Sequence, residues 1–211
     1  MVSTRNRASL AVLFALVALA SAVIAAPRAQ AADISANTVT GGTTTMDVPF
    51  SLVQQLGKDR IFVRPVAPAT LTYPNFFPVV SFPVKDGLVE TATMLGTVNH
   101  EGGINLYQID ETYTNITKSI DITNIRIVNG NQMVGDALGL VPSPAADLKN
   151  ATHSYDPATG KLTYEADAEL GTVGALVMNT YFNTNVFTAG LKMGHLKSQI
   201  DTSRILSLGA G

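Results

Sequence analysis

The chain has 211 residues and contains no cysteine, which excludes a disulfide framework and the lipid-bearing cysteine of a bacterial lipoprotein. Its formal net charge is −2, from 14 Lys and Arg against 16 Asp and Glu. A mildly acidic chain is a poor candidate for binding nucleic acid or an anionic membrane surface.

Residues 1–31 predict a secretory signal peptide. Two arginines precede an apolar run over 10–26, and Ala29 and Ala31 form a small-residue cleavage pattern. An uncleaved membrane-spanning helix is the alternative. After cleavage, no later stretch reaches the roughly 18 continuous apolar residues of a membrane span. We therefore expect a secreted or extracellular protein, free or associated with the cell wall, with no transmembrane anchor. Arg5, Arg7 and Arg28 leave with the peptide, so 11 of the 14 basic residues remain against 16 acidic ones.

Residues 32–45 are polar and rich in Gly and Thr, which predicts a flexible lead or a first edge strand. We expect one packed domain over 46–211, because a mature chain of about 180 residues can bury roughly two thirds of its unfolded surface.

Short segments of alternating apolar residues, separated by turn residues, predict a mainly β fold, an antiparallel β-sandwich. We predict three hairpins, which turn at Gly102-Gly103, at Asn129-Gly130 and in "DPATG" over 156–160.

The alternation slips by one residue inside one predicted strand. Ile120 and Ile122 lie on one phase, while Ile125 and Ile127 lie on the other. A β-bulge near Thr123-Asn124 would return them to one face; burial of both faces is the alternative.

Two segments break the strand rhythm and predict short helices. Leu52, Val53 and Leu56 stand at helical spacing, and Leu176-Val177 begins a similar pattern later in the chain. We expect the two helices to close the two open ends of the sandwich.

Catalytic and metal-binding signatures do not occur in the sequence. The three histidines are not paired at i, i+2 or i+4, and no Gly-x-Ser-x-Gly, P-loop or GxGxxG motif occurs. Asp and Glu mostly stand beside turn residues, where they act as solvated caps. We therefore expect a protein that is not an enzyme and holds no metal through a recognisable motif.

Three residues are candidate ligand contacts. His100 shares the strand phase of Val98, so if Val98 points inward, His100 does too, at the rim of the sandwich. Tyr73 and Tyr107 could stack on a flat cofactor or ligate haem iron through the phenolate. The alternatives are a histidine that caps a turn and half-buried strand tyrosines.

The order of several segments resembles the HtaA-type module of haem-uptake proteins. These segments, between Phe82 and Ile200, are "FPVKDGLVETATMLGTVNHEGGINL", "DITNIRIV", "ATHSYDPATGKLTY" and "VFTAGLKMG". The resemblance implies an exported β-sandwich with two short helices, and haem held by a tyrosine that a histidine supports. His100 matches the motif histidine. The segment that should hold the tyrosine, "VPFSLVQQLGKDRIF", contains none, and Tyr73 is the nearest substitute.

The sequence and the resemblance together predict a secreted binding module of the cell envelope, for haem or another flat hydrophobic ligand. The alternative is a structural or interaction protein of the cell surface that self-associates through strand edges. In that case Thr38 to Thr45 would add a strand to a neighbouring protein.

Overall fold

The structure is a computed structural model that describes residues 36–138 and 143–204. The predicted signal peptide lies outside these residues. The strands are β1 (Asn37–Asp47), β2 (Ile61–Val66), β3 (Thr70–Thr72), β4 (Val79–Val89), β5 (Gly96–His100), β6 (Gly103–Ile109), β7 (Ile116–Val128), β8 (Gln132–Ala137), β9 (Ser143–Asp156), β10 (Lys161–Leu170) and β11 (Lys192–Arg204). The helices are α1 (Phe50–Lys58) and α2 (Thr172–Phe182), with a 3₁₀ turn at Pro74–Phe76.

The prediction of a mainly β, antiparallel fold with two short helices is confirmed. No helix in the described ranges is long and apolar enough to cross a membrane.

Eight strands form a closed antiparallel barrel, called the ring below. Its order is β1, β11, β10, β9, β8, β7, β5, β4 and back to β1. The strand β7 closes it, because Arg126 pairs with Asn99 of β5 on one edge and with Val134 of β8 on the other. The two separate layers of a sandwich are therefore replaced by one continuous sheet.

The predicted turn in "NHEGG" is wrong, because β5 and β6 do not pair with each other. Both strands run in the same direction along one edge of β7: Thr97 lies opposite Val128, and Gly103 lies opposite Thr123. The segment from His100 to Gly102 is thus a break in one long strand. Gly102 fits there because its φ is +77° and a Cβ would lie 2.5 Å from the Val66 carbonyl oxygen.

The other local predictions for strand pairing are confirmed. β7 and β8 pair across Asn129-Gly130, and β9 and β10 pair across the turn at 156–160. The bulge is present as well, since the β7–β8 register shifts between Thr123 and Arg126 and Asn124 has a φ of +49°.

Residues 37–45 are not a flexible lead. They belong to β1, which pairs with β4 on one edge and β11 on the other, and Thr44 is only 1% exposed. Ordered packing already includes Asn37, ahead of the predicted start near Met46, because the threonines are accommodated by strand pairing and by hydrogen bonds inside the ring. A segment that is paired on both edges cannot add a strand to a neighbouring protein.

The described residues form two apolar cores. The first fills the ring and includes Phe82, Ile127 and Ile200. The second lies where β2, β6 and the first half of β7 extend beyond the ring, and both helices cover it. Its members include Leu52, Leu56, Ile61, Leu106, Ile120, Met178 and Phe182. The helices therefore pack at the same end, against the prediction of opposite ends, because the sheet extension creates one large apolar face that needs covering.

Candidate ligand-binding site

An apolar cavity of about 350 Å³ opens at the end of the molecule that carries the helices. The strands β2 and β3 are neighbours in sequence, but β2 pairs with β6 and β3 pairs with β4. They consequently diverge, and α1 forms a further wall. The lining includes Met46, Leu52, Val53, Leu56, Ile61, Phe62, Val63, Leu71, Tyr73, Phe76, Val80, Ile104, Leu106 and Tyr107.

Three exposed aromatic residues, called the aromatic rim below, stand at this cavity. They are Phe50, Tyr73 and Phe76, and all three line it. Phe76 is 93% exposed and Tyr73 is 63% exposed. Asn75 and Phe76 have φ values of +51° and +68°, which is a strained backbone for phenylalanine. A cluster of exposed apolar side chains around a concave surface is characteristic of a binding site.

Tyr107 contributes a flat wall on the β6 side. It lies opposite Phe62 in the β2–β6 register, with the two ring centroids 5.8 Å apart. The guanidinium carbon of Arg64 lies 5.1 Å from the centre of the Tyr107 ring, within the range of a cation–π interaction. The predicted candidates Tyr73 and Tyr107 therefore share one cavity.

Arg64 is held in place by a chain of hydrogen bonds. Its Nε donates to Asn105 Oδ1 at 2.9 Å, and Asn105 Nδ2 donates to Ser119 Oγ at 2.8 Å and to Asp121 Oδ1 at 2.6 Å. Asn105 is only 4% exposed, so the acceptor that orients Arg64 is itself fixed.

His100 points into the ring, as its strand phase predicts, but it does not line the apolar cavity. It is 4% exposed and lies edge-on to Phe82. Both ring nitrogens have partners: Nδ1 lies 3.1 Å from the Ile125 carbonyl oxygen, and Nε2 lies 2.7 Å from Thr44 Oγ1. Thr44 Oγ1 also lies 2.8 Å from Ser198 Oγ.

The direction of these hydrogen bonds follows from the groups involved. A carbonyl oxygen only accepts, so Nδ1 carries the proton and Nε2 accepts one from the Thr44 hydroxyl. The hydroxyl of Ser198 then donates to Thr44. Burial lowers the pKa of His100 from 6.5 to about 4, although its bond to the Ile125 carbonyl opposes the change. His100 is therefore a neutral residue that ties β5 to β7, β1 and, through Thr44, to β11.

A second cavity, of about 580 Å³, has a polar lining and borders His100. Its other lining residues are Pro68, Lys85, Asp86, Asn99, Glu101, Gly102, Asn124, Arg126 and Asp136. Arg126 and Asp136 form an ion pair at 3.0 Å. This lining offers little apolar surface for a flat hydrophobic ligand.

No family model matches the chain, and no curated protein matches it by sequence. Among solved structures, the chain is similar to the C-terminal domain of HtaA from Corynebacterium glutamicum, with a TM-score of 0.58 and 14% identity over 79% of this chain and 99% of that one. The chain has the HtaA-type fold. A second structure with this fold is the heme-binding protein HtaB from the same organism, with a TM-score of 0.53 and 16% identity over 80% of this chain and 95% of that one.

Within this HtaA-type fold, sequence reasoning found two of the cavity residues and missed others. Tyr73 and Tyr107 were identified by residue type. Phe50 and Phe76, which also line the cavity, were not, and neither was Arg64 beside Tyr107; for Phe76, the aromatic residues in "YPNFFP" over 73–78 were a usable signal. Phenylalanines between two prolines, in a segment with no strand periodicity, favour an exposed apolar loop.

Proposed function

We propose that this protein is a binding module for a flat hydrophobic ligand, with haem as the first candidate, and that the ligand occupies the apolar cavity between α1, β2 and β3. The observation that carries the proposal is this cavity of about 350 Å³ with its aromatic rim, a size within the usual range of small-molecule sites. The fold shared with the heme-binding protein HtaB supports haem among flat ligands.

The residues at the cavity fit a haem group in two respects. The lining is mostly aliphatic and aromatic, which suits a planar macrocycle, and two tyrosine side chains reach it. When bound, haem supplies an iron centre that a phenolate oxygen can ligate. We assign this role to Tyr73, and Tyr107 forms a flat wall beside Phe62. His100 is no direct ligand in this proposal, because both of its nitrogens are engaged inside the ring.

We further propose that the protein acts outside the cytoplasm and without catalysis. The signal-peptide pattern of residues 1–31 supports export. The cavity, with its largely hydrocarbon lining, favours binding over chemistry.

A titration of the purified protein with hemin tests the proposal. We expect a saturable shift of the Soret band in the wild type, with reduced affinity and an altered spectrum in Tyr73→Phe, which removes only the phenol oxygen. Tyr113→Phe is the matched control, because Tyr113 is a similarly exposed tyrosine, at 65%, that does not line the cavity.

The absence of any Soret shift in the wild type would contradict haem binding. An unchanged spectrum in Tyr73→Phe would contradict the role of Tyr73 and leave the cavity itself in place. The alternative function is self-association through strand edges. The segment predicted to mediate it has no free edge, because β1 is paired on both edges.

A further inference from the structure

We infer that Arg64 binds an acidic group of the ligand, so that the ligand is amphipathic, with a flat apolar body and at least one carboxylate. This inference rests on the proposed function, because it places the apolar body in the cavity that Tyr107 lines. It adds the chemical class of the ligand and a residue that selects it.

Arg64 stands beside the cavity without an ion-pair partner. Its guanidinium lies 5.1 Å from the centre of the Tyr107 ring. In the ranges 36–138 and 143–204, no carboxylate oxygen comes within 4.0 Å of a nitrogen of Arg64. Arg60, which directly precedes β2, differs, since it lies 3.8 Å from Glu111 and donates through Nε to the Ile109 carbonyl. Of these two arginines, Arg64 is the one with a charge left for a ligand.

The guanidinium is also oriented before any ligand arrives. Nε is committed to Asn105 Oδ1, and the ring of Tyr107 limits the plane of the group. The two terminal nitrogens therefore remain for an acceptor. A guanidinium presents such donors as a planar fork that matches the two oxygens of a carboxylate.

The position of Arg64 suits a ligand with a polar end. Phe62 precedes it by two residues on the same strand face and lines the cavity, whereas Arg64 itself is exposed. A ligand whose apolar body lies against Phe62 and Tyr107 would reach solvent beside Arg64. A carboxylate there would stay partly hydrated and gain a charge-assisted hydrogen bond.

The test compares hemin, which carries two free propionates, with hemin dimethyl ester, in which both are esterified. Arg64→Met keeps an unbranched apolar side chain and removes the charge. We expect Arg64→Met to weaken hemin binding about tenfold, in the range for one hydrogen bond to a charged group, and to leave the binding of the ester unchanged. Lys58→Met is the matched control, an exposed cation on α1 that does not line the cavity; it should change neither affinity.

A second variant separates charge from geometry. Arg64→Lys keeps the charge but loses the planar fork, so hemin affinity should lie between those of the wild type and Arg64→Met. Raising the salt concentration should weaken hemin binding by the wild type and have little effect on Arg64→Met.

The possible failures are distinct. If Arg64→Met weakens the binding of hemin and of its dimethyl ester equally, or weakens the binding of neither, the inference is overturned while the proposed function stands. If the wild type binds neither porphyrin, the proposed function fails, and the inference fails with it.

Discussion

Lowering the pH from 7 to about 4.5 is expected to destabilise the protein through His100. The pKa of this residue is about 4 in the folded protein, because burial disfavours the charged imidazolium, against 6.5 for the free side chain. The unfolded chain therefore takes up a proton first as the pH falls. The stabilising contribution is complete above about pH 6.5 and is lost progressively as the pH falls to about 4.

The size of the effect follows from the same two values. A lowering from 6.5 to about 4 corresponds to about 3 kcal/mol of unfolding free energy. The slope should approach the limit for a single proton, about 1.4 kcal/mol per pH unit, near the middle of this window. Buried hydrogen bonds to Thr44 and Ile125 hold the imidazole in place and oppose its relaxation towards solvent.

Urea denaturation followed by circular dichroism, at pH values from 7 to 4.5, measures this slope. His100→Gln removes the titrating group, so the variant should be less stable than the wild type at pH 7 but should lose most of the slope. His153→Gln is the matched control, because His153 is exposed on β9 and should leave the slope intact.

Two carboxylates with lowered pKa values do not obscure this window. The pKa of Asp110 is held below its ordinary value mainly by the side chain of Asn115, and that of Asp167 mainly by the side chain of Asn150. Their stabilising contributions are lost only as the pH falls below about 4. A wild-type stability that stays flat between pH 7 and 4.5, or a slope that persists in His100→Gln, would refute the reasoning.

Three further substitutions, two of them with a matched control, test the interior, the strand break and the aromatic rim. Thr44→Val should lower the unfolding free energy by about 1–3 kcal/mol, because it leaves buried polar partners unpaired. Thr45→Val is its control and should change the unfolding free energy by less than about 0.5 kcal/mol. Urea denaturation measures both values. Gly102→Ala should lower the unfolding free energy by about 1–3 kcal/mol, because the position has a positive φ and the added Cβ clashes with backbone atoms. Gly57→Ala is its control: the position has open space around it in α1, so the substitution should raise the unfolding free energy by about 0.5–1 kcal/mol in the same assay. Phe76→Ser should leave the melting temperature unchanged and weaken hemin binding, and a loss of stability with unchanged binding would contradict its place in the rim.

Local chemistry explains which parts of the fold could be predicted. Asn129-Gly130 is a turn because both residues accept a positive φ, and the bulge at Asn124 follows from the side-chain alternation around it. The break at Gly102 was mistaken for a turn because glycines mark both features. Only the pairing of β5 and β6 with the same edge of β7 separates them, and that pairing is a long-range property.

The polar composition of residues 32–45 favoured a flexible lead, whereas most of these residues belong to the paired strand β1. Thr44 and Ser198 are fully buried although they are polar, because they satisfy each other and His100. A sequence shows each of these residues alone and cannot show that their hydroxyl groups meet. The same limit applies to the candidate site, where Tyr73 could be proposed by residue type but the position of Arg64 beside Tyr107 depends on the β2–β6 register.

The break between β5 and β6 also affects how substitutions should be tolerated. Residues before it hold the ring together through His100, whereas residues after it, such as Tyr107, form a wall of the cavity. Changes in the two parts should act nearly independently, as expected for sites without shared partners. The exposed residues at the cavity mouth, such as Tyr73 and Phe76, can therefore be redesigned for other planar acids without altering the two apolar cores.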